Sequence, residues 1–313
     1  MRDALALSRY LARHAEKDLP DCPVTDATWR RVLVIPAYRE SPSLLERLAQ
    51  QQPGSARLLV ILLLNRPDHD PDERANMALR EAAAALPATG QHPCLHRLCE
   101  AVDLFLFDLE LSRGTTPTQQ GVGLVRKTGC DLALQWIARG AINSNWLCCT
   151  DADDTLPDDY FDRLDALGTR HSAAVFPFHH AADEDIALTH ATELYELRLH
   201  HYVLGLEYAK SPYAMHTLGS CIAISTRAYA HVRGIPRRNI IQVGRKAGIP
   251  DIEKRFSLFD VYSADEVFVT GTFAGVSPVR TVDGRDIDTL NGEMTRRIGS
   301  LYQDLIADNI TRP

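Results

Sequence analysis

Several features that would assign this 313-residue chain to a membrane, a secreted scaffold or a nucleic acid are missing. Its longest apolar run, Leu58 to Leu64, is far shorter than the roughly 20 residues that span a bilayer. The N-terminal stretch Ala4 to Ala15 is interrupted by Arg9 and Arg13, so it does not read as a signal peptide. No Cys-X-X-Cys pair occurs among the seven cysteines; adjacent Cys148 and Cys149 lie in an apolar run and read as reduced core thiols. A basic excess is also lacking. The formal net charge of -7 disfavours nucleic acid and anionic membrane as partners. No repeat or low-complexity linker appears, and Gly114 to Gln120 is expected to be a mobile polar loop. Gly121 and Gly123 lack the third glycine of a dinucleotide fingerprint. A cytoplasmic protein is expected.

What is present is an alternation of strands and helices. Arg31-Val-Leu-Val-Ile-Pro-Ala-Tyr-Arg-Glu is an apolar strand stopped at Pro36, followed by a helix from Leu44 to Gln51 that Ser41 or Ser43 would cap. Leu58 to Asn65 is a second buried strand. Pro71 to Leu86 predicts a helix with proline in its first turn, and Asp103 to Asp108 a third strand. The segment from Gly121 leads into a helix ending near Gly140. Ser172 to His180 reads as another strand and Thr189 to Gly205 as a helix. This rhythm predicts an α/β fold: a mostly parallel sheet with helices on both faces.

The chemistry signal is Asn145-Trp-Leu-Cys-Cys-Thr-Asp-Ala-Asp-Asp-Thr-Leu-Pro, an apolar strand opening into clustered carboxylates. Ligands of open α/β sheets bind beyond the carboxyl ends of strands, where Asp151, Asp153 and Asp154 would stand. Clustered carboxylates repel one another, and a hard divalent cation such as Mg²⁺ or Mn²⁺ relieves that repulsion and can hold a diphosphate. The alternative is a turn begun by Asp153 and Asp154, with Asp158 capping the next helix.

In this order, over roughly Arg30 to Asn239, these phrases resemble family-2 glycosyltransferases of the GT-A fold. The resemblance implies nucleotide-sugar contacts at Pro36, Ala37, Glu40 and Asn65, diphosphate contacts at Arg126 and Lys127, a strand over Thr217 to Tyr229 that returns to the sheet, and sugar contact near Gly219 and Ser220. It places Asp151-Ala152-Asp153 at the family's Asp-X-Asp position, so Asp151 and Asp153 become metal ligands. On the acceptor side it implies Asp183, Glu184, Asp185, His179, His180 and His216 as candidates, with His216 also a weaker metal candidate. As residues alone, Asp183 to Asp185 could equally be the N-terminal charge of a helix.

Beyond Asn239 the pattern changes. Inverting relatives place Gly-Glu-Asp and an aromatic after the phrase like Val232-Arg-Gly-Ile-Pro-Arg-Arg-Asn; here Ile240 to Lys246 carries no carboxylate, and no catalytic base is assigned. The text from Gly234 or Asn239 to Pro313 resembles the carboxyl end of fold-type IV, pyridoxal-phosphate (PLP)-dependent aminotransferases of the branched-chain and D-amino-acid group. That likeness implies a vestigial PLP-phosphate contact at Gly271 and Thr272. The family's Schiff-base lysine belongs to an upstream segment with no counterpart here, so PLP is not expected as a cofactor.

The expected organisation is an N-terminal helical extension over 1–29, a GT-A glycosyltransferase-like domain over 30–238, and a small α+β aminotransferase-like piece over 239–313. The expected function is metal-dependent transfer of a sugar from a nucleoside diphosphate to an unassigned acceptor. A nucleotide- and metal-binding chimera without turnover is the alternative, and a PLP aminotransferase the third. Oligomeric state is open.

Overall fold

Arg31–Ala37 forms strand β1 and Leu58–Leu64 forms β2, and every residue of both is buried. Unbroken apolar runs suit strands covered on two faces, which is where the chain places them. The two pair in parallel along their whole length, and β2 pairs in parallel with β4 (Val102–Asp108). On the other side of β1 lies β5 (Trp146–Cys149), also parallel. With β3 (Leu95–Arg97), β6 (Ala173–Val175) and β7 (Ile222–Ser225), the sheet has seven strands in the order β3-β4-β2-β1-β5-β7-β6. The outer pairings of β3 with β4, β5 with β7 and β6 with β7 are antiparallel.

This computed structural model describes residues 2–24, 28–118, 120–181, 185–210, 214–216, 221–232, 241, 243–252, 257–271, 275–282, 284–287 and 292–311. It divides into two units, Met1–Glu207 with Met215–Ala230, and Tyr208–Ala214 with His231–Pro313.

Alternation along the strands builds two cores. Leu33, Ile35, Leu62 and Leu104 face one way and pack with helices α2 (Ser43–Ala49), α3 (Met77–Ala84) and α6 (Tyr160–Leu167). Val34, Ile61, Leu63 and Phe105 face the other and pack with α1 (Arg2–Arg13) and α5 (Gly121–Ala138). Helices therefore cover both faces, as the rhythm predicts. Helix α5 approaches closely because Gly129 has no side chain: a Cβ there would lie 2.4 Å from Val34 Cγ1 and 2.6 Å from Leu63 Cδ1.

Several boundaries differ from expectation. The predicted helix from Pro71 begins only at Met77, because Asp70 and Asp72 accept from the N–H groups of Asp72 and Arg74 and hold Pro71 to Asn76 in turns. The strand predicted over Ser172 to His180 shrinks to β6. Among the described residues of the strand predicted over Thr217 to Tyr229, β7 ends at Ser225, whose Oγ accepts from Ala228 N and starts helix α8 (Thr226–Val232). Asp158 does not cap α6, which begins after Asp159 with no side-chain cap. Helix α4 (Leu109–Arg113) follows β4, and helix α7 runs over Ile186–Tyr208, longer than predicted.

In the second unit, β8 (Phe268–Gly271) and β9 (Gly275–Pro278) form an antiparallel pair, and β10 (Thr281–Val282) and β11 (Arg285–Asp286) a second. A helix over Glu293–Thr311 supplies the buried Ile298 and Tyr302, with Phe268, Val276, Ile249 and Leu305 packed against them. Among the described residues no helix is long and apolar enough to cross a membrane.

Candidate functional site

The parallel strands run outward from β1 in opposite directions, β2 then β4 on one side and β5 on the other, so the order reverses between β1 and β5. A reversal of this kind opens a crevice beyond the strand ends. A cleft of about 320 Å³ lies there, lined by residues that follow β1, β2 and β5 together with Thr116, Gly121 and Val122. Pro36, Ala37, Glu40, Asn65, Asp151 and Asp153, all picked out in the sequence, meet in it. Five of the six follow or end an apolar strand, and the sheet brings those ends into one row.

Charge inside the cleft is unevenly compensated. Glu40 is pushed above the usual carboxylate range, first by its burial and then by Asp153, with Asp151 adding to the effect and Arg47 opposing it. Arg126 Nη2 donates to Asp151 Oδ1, while the buried Arg126 Nε has no partner among the described residues. The amino end of α5, through Gly121 and Val122, also lines the cleft and brings the positive end of an 18-residue helix dipole to it.

Asp154, the third carboxylate of the cluster, is used differently. Its Oδ2 accepts from Thr150 Oγ1 at 2.7 Å and from Asp151 N at 3.1 Å, which holds the loop in shape. Arg47 Nη2 donates to Ala152 O at 2.7 Å from the opposite side. The turn expected as an alternative is present: Asp154 makes it, while Asp153 is exposed in the cleft.

The strand-end residues rest on a network that the sequence did not point to. Tyr38 Oη donates to Asp70 Oδ2 at 2.5 Å, and Arg39, at a positive φ of 59°, pairs with Asp70. The Tyr38 hydroxyl and the Asp72 N–H hold Asp70 down at about 2. Asn76, 1 % exposed, accepts from Arg39 N and donates to Asn65 O, fixing the ends of β1 and β2 together. The signal available was the density of Asp, Asn and Arg between Asn65 and Asn76, which a helix prediction absorbed. The loop Gly114 to Gln120, expected to be mobile, is tied to this region where Thr116 bridges Pro67 and Thr118 N–H donates to Asp68.

Other predicted residues lie elsewhere. Lys127, next to Arg126, turns away from the cleft: its Nζ contacts Asp131 at 2.6 Å, Glu16 at 3.0 Å and His14 O at 2.9 Å. Asp131 is fully buried and also accepts from Tyr10 and Tyr229, so the group ties α1, α5 and α8 together. Asp185 Oδ1 accepts from Ala187 N at 2.8 Å and caps α7, the helix-terminus use that the residues alone left open. His179 and His180 bond Glu196, and His216 Nε2 lies 3.1 Å from His200 Nδ1. Gly271 ends β8, opposite Gly275. Asp183, Glu184, Gly219, Ser220 and Thr272 lie outside the described residues.

Among the described residues no three His, Cys, Asp or Glu side chains are grouped to close a metal site by themselves. Mg²⁺ commonly takes only one or two carboxylates and completes its shell with water and substrate phosphates. Mutually repelling carboxylates at Glu40, Asp151 and Asp153 beside an unpartnered guanidinium nitrogen fit that mode.

Residues 221–282 match the model of the amino-transferase class IV family. A putative branched-chain-amino-acid aminotransferase of Methanocaldococcus jannaschii is 37 % identical over 75 residues, 24 % of this chain and 26 % of the relative. The branched-chain-amino-acid aminotransferase of Pseudomonas aeruginosa is 40 % identical over 79 residues, 25 % and 26 % of the two chains. A D-alanine aminotransferase of Listeria monocytogenes is 37 % identical over 76 residues, 24 % and 26 % of the two. The chain thus spans about a quarter of the length of these curated relatives. The match starts ahead of Gly234, so it takes in β7 and most of α8 in the first unit as well as the second unit up to residue 282. Among solved structures, the mannosyltransferase PcManGT of Pyrobaculum calidifontis, in complex with GDP-Man and Mn²⁺, aligns over 75 % of this chain and 59 % of its own, at 17 % identity and a TM-score of 0.34.

Proposed function

We propose that the first unit binds a nucleoside-diphosphate sugar together with Mg²⁺ or Mn²⁺ beyond the ends of β1, β2 and β5, and acts as a GT-A, family-2-type glycosyltransferase. The observation that carries this reading is the convergence of Glu40, Asp151 and Asp153 with Arg126 at the switch point of the sheet. The cleft volume lies in the range of small-molecule sites. Pro36, Ala37 and Asn65 would receive the nucleoside, with Glu40 and Asp151 at the ribose or sugar.

Asp153 and Asp151 would hold the cation, which when bound supplies charge neutralisation for a diphosphate leaving group. Arg126 offers a guanidinium bonded to Asp151 of the cleft wall, whose Nε has a hydrogen bond to give. The amino end of α5 favours negative charge at the same place. The base that would deprotonate an acceptor hydroxyl is left unassigned; of the acidic candidates, Asp185 is engaged at the start of α7.

The second reading is a chimera that binds nucleotide and metal without turnover. It is favoured by the class IV match, which runs through the region where the glycosyltransferase pattern expects its base. An aminotransferase reading of the whole chain stands behind both, because the common stretch is about a quarter of those relatives.

Calorimetric titration of UDP and GDP with and without Mn²⁺ tests the shared premise. Asp153→Ala is expected to remove Mn²⁺-dependent binding, and unchanged binding would sink both leading readings. Binding without release of sugar from any UDP- or GDP-sugar supports the second reading over the first.

A further inference from the structure

Helix α7 has 23 residues, and none of them is buried. Most helices in globular proteins draw their stability from packing one face, so a helix of this length without a buried face calls for a partner. Its half-buried positions are Thr189, Thr192, Glu196, Leu199, Val203 and Leu206, spaced alternately by three and four residues on one face. On the opposite face runs a second stripe with the same spacing. There Leu194, Leu197, Leu204 and Tyr208 are 62, 64, 60 and 93 % exposed, with His201 completing the pattern. Apolar residues on two opposite faces belong to a helix covered on both sides.

The outward stripe has the heptad spacing of a coiled-coil seam, with Leu194, His201 and Tyr208 at a and Leu197 and Leu204 at d. Exposed Glu193 and Arg198 flank it at g and e. In a parallel pair of identical helices, Glu193 of each copy faces Arg198 of the other, and twofold symmetry makes the pair twice. An antiparallel pair brings g to g and e to e, which sets like charges together. Four side chains at these exposures offer on the order of 500 Å² per copy, and two such strips reach the roughly 1,000 Å² that a specific interface needs.

We propose that α7 is a homotypic docking surface on which two copies of this chain pair in parallel about a twofold axis, burying Leu194, Leu197, Leu204 and Tyr208 against their counterparts. The polar His201 at a sets register, as single polar a positions do in other pairs. The surface is independent of the nucleotide reading of the cleft.

Sedimentation equilibrium of the full chain at micromolar concentration is expected to give a dimer. Leu197→Glu is expected to raise the dissociation constant more than about tenfold while the far-ultraviolet circular dichroism is kept, because the side chain is exposed in the single copy. Glu193→Arg and Arg198→Glu should each weaken the dimer several-fold, and the two combined should restore it. A wild-type monomer overturns the proposal, as does a dimer indifferent to Leu197→Glu. Charge reversals whose effects add without restoration overturn the parallel arrangement. A monomer that sediments with phosphatidylcholine vesicles, and loses this on Leu197→Glu, would assign the stripe to a lipid surface instead.

Discussion

Glu40 shows how the cleft stores its charge. Its carboxyl is raised by burial and by Asp153 and Asp151, and a carboxyl raised in the folded state contributes stability below its unfolded value of about 4.5, then loses it as pH rises through the folded value. Above that folded value the ionised side chain is therefore a net cost to the fold. Glu40→Gln is expected to raise the melting temperature by about 1–2 °C at pH 7, a small effect because the group is partly solvated, and to change it little at pH 4. Paired thermal melts at the two values check this, and an equal shift at both would mean that charge is not the cause. Adjacent side chains at Arg126 and Lys127 carry the complementary lesson. One turns to Asp151 and the other to Asp131, because neighbours on a helix point about 100° apart. Their spelling in the chain is the same kind of signal; only the packing of α1 against α5 decides which faces the cleft.

Helix α5 links core and site. Its first turn lines the cleft, Arg126 pairs with the acidic loop, and one turn later Gly129 lets the helix sit on Val34 and Leu63. Gly129→Ala would gain helix propensity worth up to ~1 kcal/mol but would press a methyl into Val34 and Leu63, and overpacking of this kind costs ~1–3 kcal/mol. A net loss of about 1–2 kcal/mol is expected in the urea unfolding of the first unit. Stabilisation would mean that Val34 and Leu63 make room freely. Elements were legible where a pattern was long and unbroken, as in β1, β2 and the span of α5 up to Gly140, whose φ of 80° marks the stop. They were misread where side chains compete with the helix ladder for backbone N–H groups, as Asp70 and Asp72 do before α3 and Ser225 does after β7.

Across the whole molecule the two units differ in what they can bury. The first holds two cores, one on each face of a seven-stranded sheet. Around Ile298 and Tyr302, the described residues of the second hold one small cluster. Small cores give marginal stability, so calorimetry of the full chain is expected to show two transitions, with the second unit melting first. A single cooperative transition would mean that the units stabilise each other.

Alternating apolar runs and carboxylates at their ends were enough to determine an α/β sheet with helices on both faces and an acidic site at strand ends, because burial periodicity is a local property of the chain. The order of the strands, which puts β5 beside β1 and so opens the cleft where Glu40 meets Asp153, belongs to the tertiary structure. So does the division of labour within the acidic loop, where Asp154 holds the turn and Asp153 lines the cleft. The strand order depends on groups more than a hundred residues apart coming within a few ångströms of each other, as Arg47 does with Ala152, and no local pattern encodes that distance; within the loop the Asp154 bonds are local, and it is the cleft facing Asp153 that the sheet supplies.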